Sequence, residues 1–134
     1  IEGEDLSASL KSGTDLDRAA LYMGVSPFLG CADELRRPYR AIRTNRYTYV
    51  RDLKGPWLLY DDQQDPHQLH NLADAAESKL LVEQLDARLQ AELKRIGDEF
   101  HPAEWYCKKW NFPFGAHQSA PYADPVETVI APRR

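Results

Sequence analysis

Basic side chains are concentrated between positions 36 and 54. Guanidinium groups bind anions well, because their planar N–H donors match anionic oxygen groups in pairs. The segment therefore predicts recognition of an anionic ligand. The alternative is surface charge paired with acidic neighbours such as Asp33, Glu34 and Asp52, since alternation along a strand prevents all the basic groups from facing one ligand. The cluster contains Arg36, Arg37, Arg40, Arg43, Arg46, Arg51 and Lys54, with Arg36, Arg37, Arg40 and Arg43 as the binding candidates.

A second candidate group is aromatic and lies near the end of the chain. Sugars stack on such rings, so Trp110 and His117 are predicted to contact a carbohydrate. The alternative is that the rings pack against the domain itself. The group comprises Trp105, Tyr106, Trp110, Phe112 and His117.

Two histidines lie close to three aspartates, which could suggest a metal site. However, His67 and His70 have no third ligand at helical or strand spacing. Asp65 and Pro66 instead favour a solvated corner that Asn71 helps to cap. We predict a turn here and no metal. The three aspartates are Asp61, Asp62 and Asp65.

The two cysteines, Cys31 and Cys107, have no C-x-x-C spacing, which argues against a zinc ribbon or a redox motif. A disulfide between them and two free thiols both remain open, because spacing along the chain does not reveal proximity in space.

The composition excludes several classes of protein. Of the 134 residues, 43% are hydrophobic and 28% are charged, as in ordinary globular domains. The net charge of −4 disfavours a general nucleic-acid binder, which must neutralise phosphates. No apolar run approaches the roughly 20 residues that span a bilayer. We therefore predict neither a nucleic-acid partner nor a membrane segment.

Short runs of apolar, aromatic and β-branched residues predict an antiparallel sheet. The central pair reads as a hairpin that turns at Asn45, which tolerates a positive φ. Gly55 and Pro56 are then expected to turn the chain into a further strand. The predicted strands are residues 18–25, 39–44, 47–52 and 57–60.

One long helix follows the strands. Asp74 and Glu77 have the spacing of a capping box with Asp74 as N-cap, and Gly97 suits the C-terminal stop. The fold class is therefore α+β: three to four antiparallel strands packed on one long helix, then an irregular aromatic and proline-rich tail. The helix is expected to bury Val82, Leu85, Leu89, Leu93 and Ile96.

A single helix covers only one face of such a sheet, yet both faces carry apolar side chains. Leu58 and Leu59 must point to opposite faces, because side chains alternate along a strand. An absent domain is predicted to bury the second face, with the aromatic tail or a homodimer as alternatives. In the hairpin we expect Ile42 and Val50 on one surface, and Tyr39, Ala41, Tyr47 and Tyr49 on the other.

Three segments resemble motifs of type I sulfatases, of the alkaline-phosphatase superfamily. Residues 39–50 (YRAIRTNRYTYV) resemble the family's R-x-x-R-T-x-x-x-K/T-Y hairpin. Residues 59–61 (LYD) and 65–72 (DPHQLHNL) resemble its L-Y-D-L … D-P-x-E-x-x-N-L signature, with Gln68 where Glu is usual. Residues 3–13 (GEDLSASLKSG) resemble its G-x-D-L-S … L-x-G connection. The resemblance covers residues 1–97, in the family's order.

The resemblance implies a place in a larger protein. In these enzymes a large α/β catalytic domain precedes a small C-terminal domain with a four-stranded antiparallel sheet and a helix. We expect residues 1–17 to be a linker from a missing catalytic domain, 18–97 the C-terminal domain, and 98–134 a wrapping tail. The expected partners are that N-terminal domain or a second copy, and a sulfated carbohydrate. By resemblance, the protein is expected outside the cytoplasm.

The family's catalytic motif is not found in this sequence. By resemblance, a Cys or Ser in C/S-x-P/A-x-R becomes formylglycine, and calcium orients the sulfate. Here Cys31 begins CADEL, Cys107 begins CKKWN, and Ser119 begins SAPYA without the arginine. No catalytic residue is carried over, so formylglycine and calcium are expected in the missing domain. The chain alone is predicted to be inactive.

Two functions remain open. The first is the C-terminal subdomain of a sulfatase (a sulfuric ester hydrolase), which supports the active-site rim and contributes substrate contacts. The second is a free-standing module that binds sulfated glycans or pairs with itself. The start of the chain at Ile1, without initiator Met or signal-like segment, favours a piece of a longer gene product and so the first function.

Overall fold

The four strands form one antiparallel meander, and the predicted α+β fold is confirmed. The computed structural model describes residues 5–14, 17–24 and 37–111. Strand order in the sheet follows strand order in the chain. The strands are β1 (Ala20–Gly24), β2 (Tyr39–Arg43), β3 (Tyr47–Asp52) and β4 (Gly55–Asp61).

One long helix packs on the sheet, and two short helices lie outside the predicted elements. A 3-10 turn at Ala76–Ser78 leads into the long helix. The helices are α1 (Ser7–Ser12), α2 (Lys79–Ile96) and α3 (Ala103–Lys109). None of the helices in the described ranges is long and apolar enough to cross a membrane.

The short helices correct two predictions of irregular structure. α1 lies in the predicted linker, residues 1–17, and buries none of its residues. α3 lies in the predicted irregular tail, where Trp105 and Tyr106 each contact a residue four positions later, Lys109 and Trp110. Such i,i+4 contacts stabilise a helix locally. The prolines around α3 had instead favoured the prediction of irregular structure. The rest of the predicted tail, 112–134, lies outside the described residues.

The core lies between α2 and one face of the sheet. Ile42, Tyr49 and Leu59 are paired across the three strands β2, β3 and β4, and all three are fully buried. Residues paired across antiparallel strands share a face, so the predicted grouping of Ile42 with Val50 is wrong: Val50 pairs with Ala41 on the other face. From α2 the core receives Val82, Leu85, Leu89 and Leu93, whereas Ile96 is exposed.

The C-terminal end of α2 is as predicted and its start is not. Gly97 has φ 68°, its N–H donates to the carbonyl of Lys94, and the N–H of Asp98 donates to that of Leu93. This pair of bonds is a Schellman motif. At the other end the N-cap of α2 is Ser78, without a side-chain cap, so the Asp74 capping box is wrong. Glu77 instead lies in the 3-10 turn, and Asp74 lies in a turn that precedes it.

Both hairpin turns use side-chain hydrogen bonds that the sequence prediction overlooked. In the first, the Thr44 hydroxyl accepts the N–H of Tyr47 at 2.9 Å, and Asn45 has no positive φ. In the second, the Asp52 carboxylate accepts the N–H groups of Lys54 and Gly55 at 2.7 and 3.1 Å. That turn therefore precedes Gly55, and the predicted turn at Gly55–Pro56 is wrong. Short polar side chains often replace backbone partners in this way.

Candidate functional site

The face of the sheet opposite α2 is the candidate functional site. Tyr22, Ala41, Val50 and Leu58 lie opposite one another on successive strands and form an apolar row across it. A concave space of about 340 Å³ lies on this face, and we call it the open-face hollow. It is lined by Tyr22, Tyr39, Ala41, Arg43, Thr48, Val50, Trp57, Leu58 and Gln68.

One end of the open-face hollow is aromatic. The rings of Tyr39 and Trp57 meet edge to face with centroids 6.5 Å apart, and Arg37 lies 5.0 Å from the centroid of the Trp57 ring. Gly24 pairs with Tyr39 across the strands, and a Cβ on Gly24 would overlap the Tyr39 ring. Glycine therefore allows the Tyr39 ring to lie against β1.

The other end of the open-face hollow is polar and is organised by Asp62. Its carboxylate accepts a hydrogen bond from the Thr48 hydroxyl at 2.6 Å and from Gln68 Nε2 at 2.7 Å. Arg43 Nε lies 3.3 Å from the same carboxylate. The Asp62 side chain is 11% exposed and that of Arg43 is 52% exposed. A mostly buried carboxylate thus contacts three donor groups at the edge of an apolar floor, and the most exposed of them is Arg43.

The structure separates the predicted basic residues between the two faces. Arg37 and Arg43 lie at the open face, where their side chains are 40% and 52% exposed. Arg36 and His117 lie outside the described residues. Each described arginine of the cluster has its own aspartate: Arg37 with Asp52, Arg40 with Asp98, Arg43 with Asp62, Arg46 with Asp61, and Arg51 with Asp86.

Arg40 lies on the helix side of the sheet and is 1% exposed. Its guanidinium donates to both carboxylate oxygens of Asp98, at 2.5 and 3.0 Å, and to the Tyr106 hydroxyl at 2.8 Å. It also lies 4.6 Å from the Phe100 ring centroid. An external ligand reaches Arg40 only if Asp98 and Tyr106 move away. In this position Arg40 holds the segment after α2 against the sheet.

Trp110 ends α3 on the surface. Its ring is tilted against that of Tyr106 with centroids 5.2 Å apart, and the residue is 60% exposed. Trp110 contacts Tyr106, whose hydroxyl accepts a hydrogen bond from Arg40. Trp110 does not line the open-face hollow. The structure therefore does not bring Trp110 together with Arg37 and Arg43.

The segment with His67 and His70 forms a hydrogen-bonded corner. Asp65 accepts the N–H of His70 at 2.7 Å, and N–H donors from this corner hold the pKa of the Asp65 carboxyl below its ordinary value. Asn71 accepts the N–H of Leu59 at 2.9 Å and donates to the carbonyl of Trp57 at 3.0 Å, which satisfies the edge of β4. These polar groups are used to build the corner.

The carboxylates here do not fit a calcium site. Calcium needs six to eight oxygen ligands around one point, whereas Asp61 and Asp62 are paired with Arg46 and Arg43. Across the described ranges no group of three or more His, Cys, Asp or Glu could hold a metal ion. Cys31 and the side chain of Cys107 lie outside the part of the chain that the structure describes. A disulfide between them and two free thiols therefore both stay predictions.

Sequence reasoning missed Asp62, Gln68 and Trp57 as site residues. Asp62 and Gln68 stand where the sulfatase patterns L-Y-D-L and D-P-x-E have Leu and Glu, and in the structure their side chains are hydrogen-bonded to each other. These two departures from the motif were a signal in the sequence. Trp57 carried no such signal.

Comparisons with known proteins identify the relatives of this chain. It is 46% identical over 124 residues to an ulvan-active sulfatase from Formosa agariphila, a match that covers 91% of this chain and 24% of that protein. The fold is similar to the crystal structure of yidJ, a candidate sulfatase from Bacteroides fragilis, with a TM-score of 0.54 and 24% identity. That similarity covers 78% of this chain and 22% of yidJ, and it supports the fold alone. No protein-family model matches.

The chain thus spans about a quarter of the sulfatase that it matches. High identity over nearly the whole chain, the observed meander and the covering helix agree with the motifs of residues 39–72. The chain is therefore a sulfatase-related domain that corresponds to part of such a protein, and the match fits a C-terminal sulfatase domain.

Proposed function

We propose that this chain works as the C-terminal domain of a sulfatase and depends on a catalytic part elsewhere in the polypeptide. The observation that carries the proposal is the 46% identity over 91% of this chain to a sulfatase of which it spans only 24%. Under this proposal the formylglycine nucleophile and the calcium ion belong to the catalytic part. Residues 1–17 connect the two parts, 18–97 form the domain, and 98–134 extend from it.

The open face of the sheet is proposed to be one wall of the substrate cleft, at the junction with the catalytic part. Two observations support this placement. First, α2 packs on the other face, whereas on the open face Tyr22 is 50% exposed beside the buried Ala41 and Val50. Second, the open-face hollow combines an apolar floor with Arg37 and Arg43 at its rim, and ligand sites occur preferentially where domains meet. The domain would thereby support the active-site rim.

The substrate class is proposed to be a sulfated carbohydrate. The Formosa agariphila relative is described as active on ulvan, and the exposed guanidinium groups of Arg37 and Arg43 suit an anionic polymer. A polymer of this kind is met outside the cytoplasm, so we propose an extracytoplasmic location.

The alternative function is a free-standing module that binds sulfated glycans or pairs with itself. The same open face favours it, because a half-exposed tyrosine on an apolar face with basic groups at its edge suits either partner. The alternative needs no catalytic part. It is therefore distinguished from the first proposal by activity rather than by binding.

The test compares the 134-residue chain with the longer polypeptide encoded together with its upstream sequence. Both are produced with a formylglycine-generating enzyme, purified with calcium, and assayed for release of sulfate from 4-nitrophenyl sulfate and from a sulfated polysaccharide. We expect turnover by the longer polypeptide and none by the chain alone. Turnover by the isolated chain, or an upstream sequence without a C/S-x-P/A-x-R motif, would overturn the proposal.

A further inference from the structure

The polar end of the open-face hollow has the features of a binding site for a small ligand. The Asp62 carboxylate holds the side chains of Thr48 and Gln68 by hydrogen bonds and forms an ion pair with Arg43. Groups held in this way lose little freedom when a ligand arrives, so the arrangement is preorganised. Both Arg43 and Gln68 line the open-face hollow.

Gln68 carries a further mark of a functional position. Its φ is 54°, a left-handed conformation that residues other than glycine seldom adopt. Such conformations persist only where the surroundings impose them, and they occur often at binding sites. Here the backbone N–H of Gln68 donates to the Asp65 carbonyl at 3.0 Å, and its side-chain amide donates to Asp62 and to Thr48. The amide is therefore held at the wall of the hollow.

The residue type at position 68 matters because of its neighbour. A glutamate there would bring a second carboxylate against Asp62, and like charges at that distance repel each other. Glutamine avoids the repulsion and keeps an amide that can both donate and accept hydrogen bonds. The polar end therefore presents one cation and one neutral amide.

Arg43 supplies the cation. Its contact with Asp62 is made by Nε at 3.3 Å, and a guanidinium has two further nitrogens that can donate to an anion. The side chain is 52% exposed, so a ligand in the hollow can reach it. Arginine in this position suits sulfate and carboxylate groups equally.

The aromatic end supplies a surface for a ring. Tyr39 and Trp57 meet edge to face there, and Tyr22 lies on the neighbouring strand, 50% exposed. The hollow measures about 340 Å³, at the lower end of the range of small-ligand sites. An aromatic wall facing a polar end with one cation matches a sugar ring with a charged substituent.

We propose that the open-face hollow binds one sugar residue that carries a sulfate or a carboxylate. Arg43 binds the anionic group, the Gln68 amide binds a hydroxyl, and the rings of Tyr39 and Trp57 contact the face of the sugar. The inference rests on the proposed function for the position of the hollow beside a substrate cleft. It goes further, because it assigns a ligand-binding role to residues of this chain.

The indole group of Trp57 can report ligand binding in the open-face hollow by NMR. The chain's three tryptophans are Trp57, which lines the hollow, Trp105, which lies on α3, and Trp110, which follows the end of α3. Indole N–H resonances are followed by NMR in the ¹⁵N-labelled 134-residue chain while glucose 6-sulfate, glucuronate or glucose is added. We expect the Trp57 resonance to shift with one or both anionic sugars and not with glucose, while the other two indole resonances stay in place.

Three variants assign the response to individual side chains. Arg43→Met should weaken the response about tenfold, because a hydrogen bond to a charged group is lost. Gln68→Glu should weaken it by a similar factor through repulsion of the anion. Arg95→Met is the matched control, since Arg95 is 66% exposed on α2 and pairs with Glu92. That control should bind as the unmodified chain does.

The outcomes separate this inference from the proposed function. A response to only one anionic sugar supports the site and tells whether sulfate or carboxylate is preferred. No Trp57 shift, an equal shift with glucose, or an unchanged response in Arg43→Met overturns the site. A Trp57 shift that depends on protein concentration and ignores sugar overturns it too, in favour of a second copy. Sulfate-ester turnover by the longer polypeptide tests the proposed function, and its result does not depend on the Trp57 response.

Discussion

Arg40 joins the segment after α2 to the sheet through a side chain that is almost fully buried. Its replacement by methionine would leave the Asp98 carboxylate, which is 15% exposed, without its partner. Removing one member of a buried ion pair costs about 3–5 kcal/mol. We therefore expect Arg40→Met to lower the free energy of unfolding by about that amount, measured by urea denaturation.

The control for Arg40 is an exposed ion pair of the same type. Arg95 and Glu92 pair on the surface of α2, where their side chains are 66% and 34% exposed. Exposed pairs contribute about 0–1 kcal/mol, so Arg95→Met should change the urea midpoint very little. Equal effects of the two substitutions would contradict the role given to Arg40.

Asp61 makes stability depend on pH. Arg46 donates to its carboxylate at 3.0 and 2.7 Å, and this bonding holds the pKa of Asp61 below its ordinary value of 3.8. A lowered pKa means that the carboxylate stabilises the fold above about pH 4 and that this contribution is lost as the pH falls through the folded-state pKa.

We therefore expect Arg46→Met to destabilise the domain at pH 6, and we expect this difference from the unmodified chain to shrink as the pH falls below about 4. Urea denaturation at a series of pH values measures the difference. A difference that stays constant from pH 6 to pH 3 would show that the charge of Asp61 is not responsible.

At the scale of elements, the end of α2 depends on a left-handed residue. Gly97 has φ 68° in the Schellman motif, and an L-residue with a side chain is disfavoured there by about 1–2 kcal/mol. We expect Gly97→Ala to lower the free energy of unfolding by about that amount. Thermal and urea denaturation followed by circular dichroism measure the change.

Gly13 offers a matched control for that substitution. It has nearly the same φ, 65°, at the end of α1. However, α1 buries no residue, so fraying of that helix should leave the global unfolding transition unchanged. A loss of stability in Gly13→Ala as large as in Gly97→Ala would mean that α1 is part of the cooperative core.

At the scale of the whole molecule, the isolated chain carries an apolar face that α2 does not cover. Leu58 lies in the apolar row of that face, opposite Val50. We expect the chain to self-associate as its concentration rises, because this face is apolar and its Tyr22 is 50% exposed. Leu58→Lys should shift the equilibrium toward monomer, measured by sedimentation velocity.

Leu80 is the control position, because it is 66% exposed on α2, on the far side of the core. Leu80→Lys should leave the association unchanged. A chain that stays monomeric at millimolar concentration would mean that its open face needs no partner.

Local patterns in the sequence were sufficient for the elements near the centre of the chain. Apolar and β-branched runs located the four strands, helical spacing located α2, and Gly97 located its end. These features depend on neighbours within a few residues, so they can be read without coordinates. The sulfatase resemblance of residues 39–50 and 59–72 also came from the sequence.

The pairing of distant groups was decided only by the tertiary structure. Strand register put Ile42 with Tyr49 and Val50 with Ala41, and a shift of one residue would have reversed both faces. Burial of Arg40 under Asp98, 58 positions later, removed it from the surface cluster. The open-face hollow likewise joins residues from four strands and a loop, because packing brings together groups that no spacing along the chain connects.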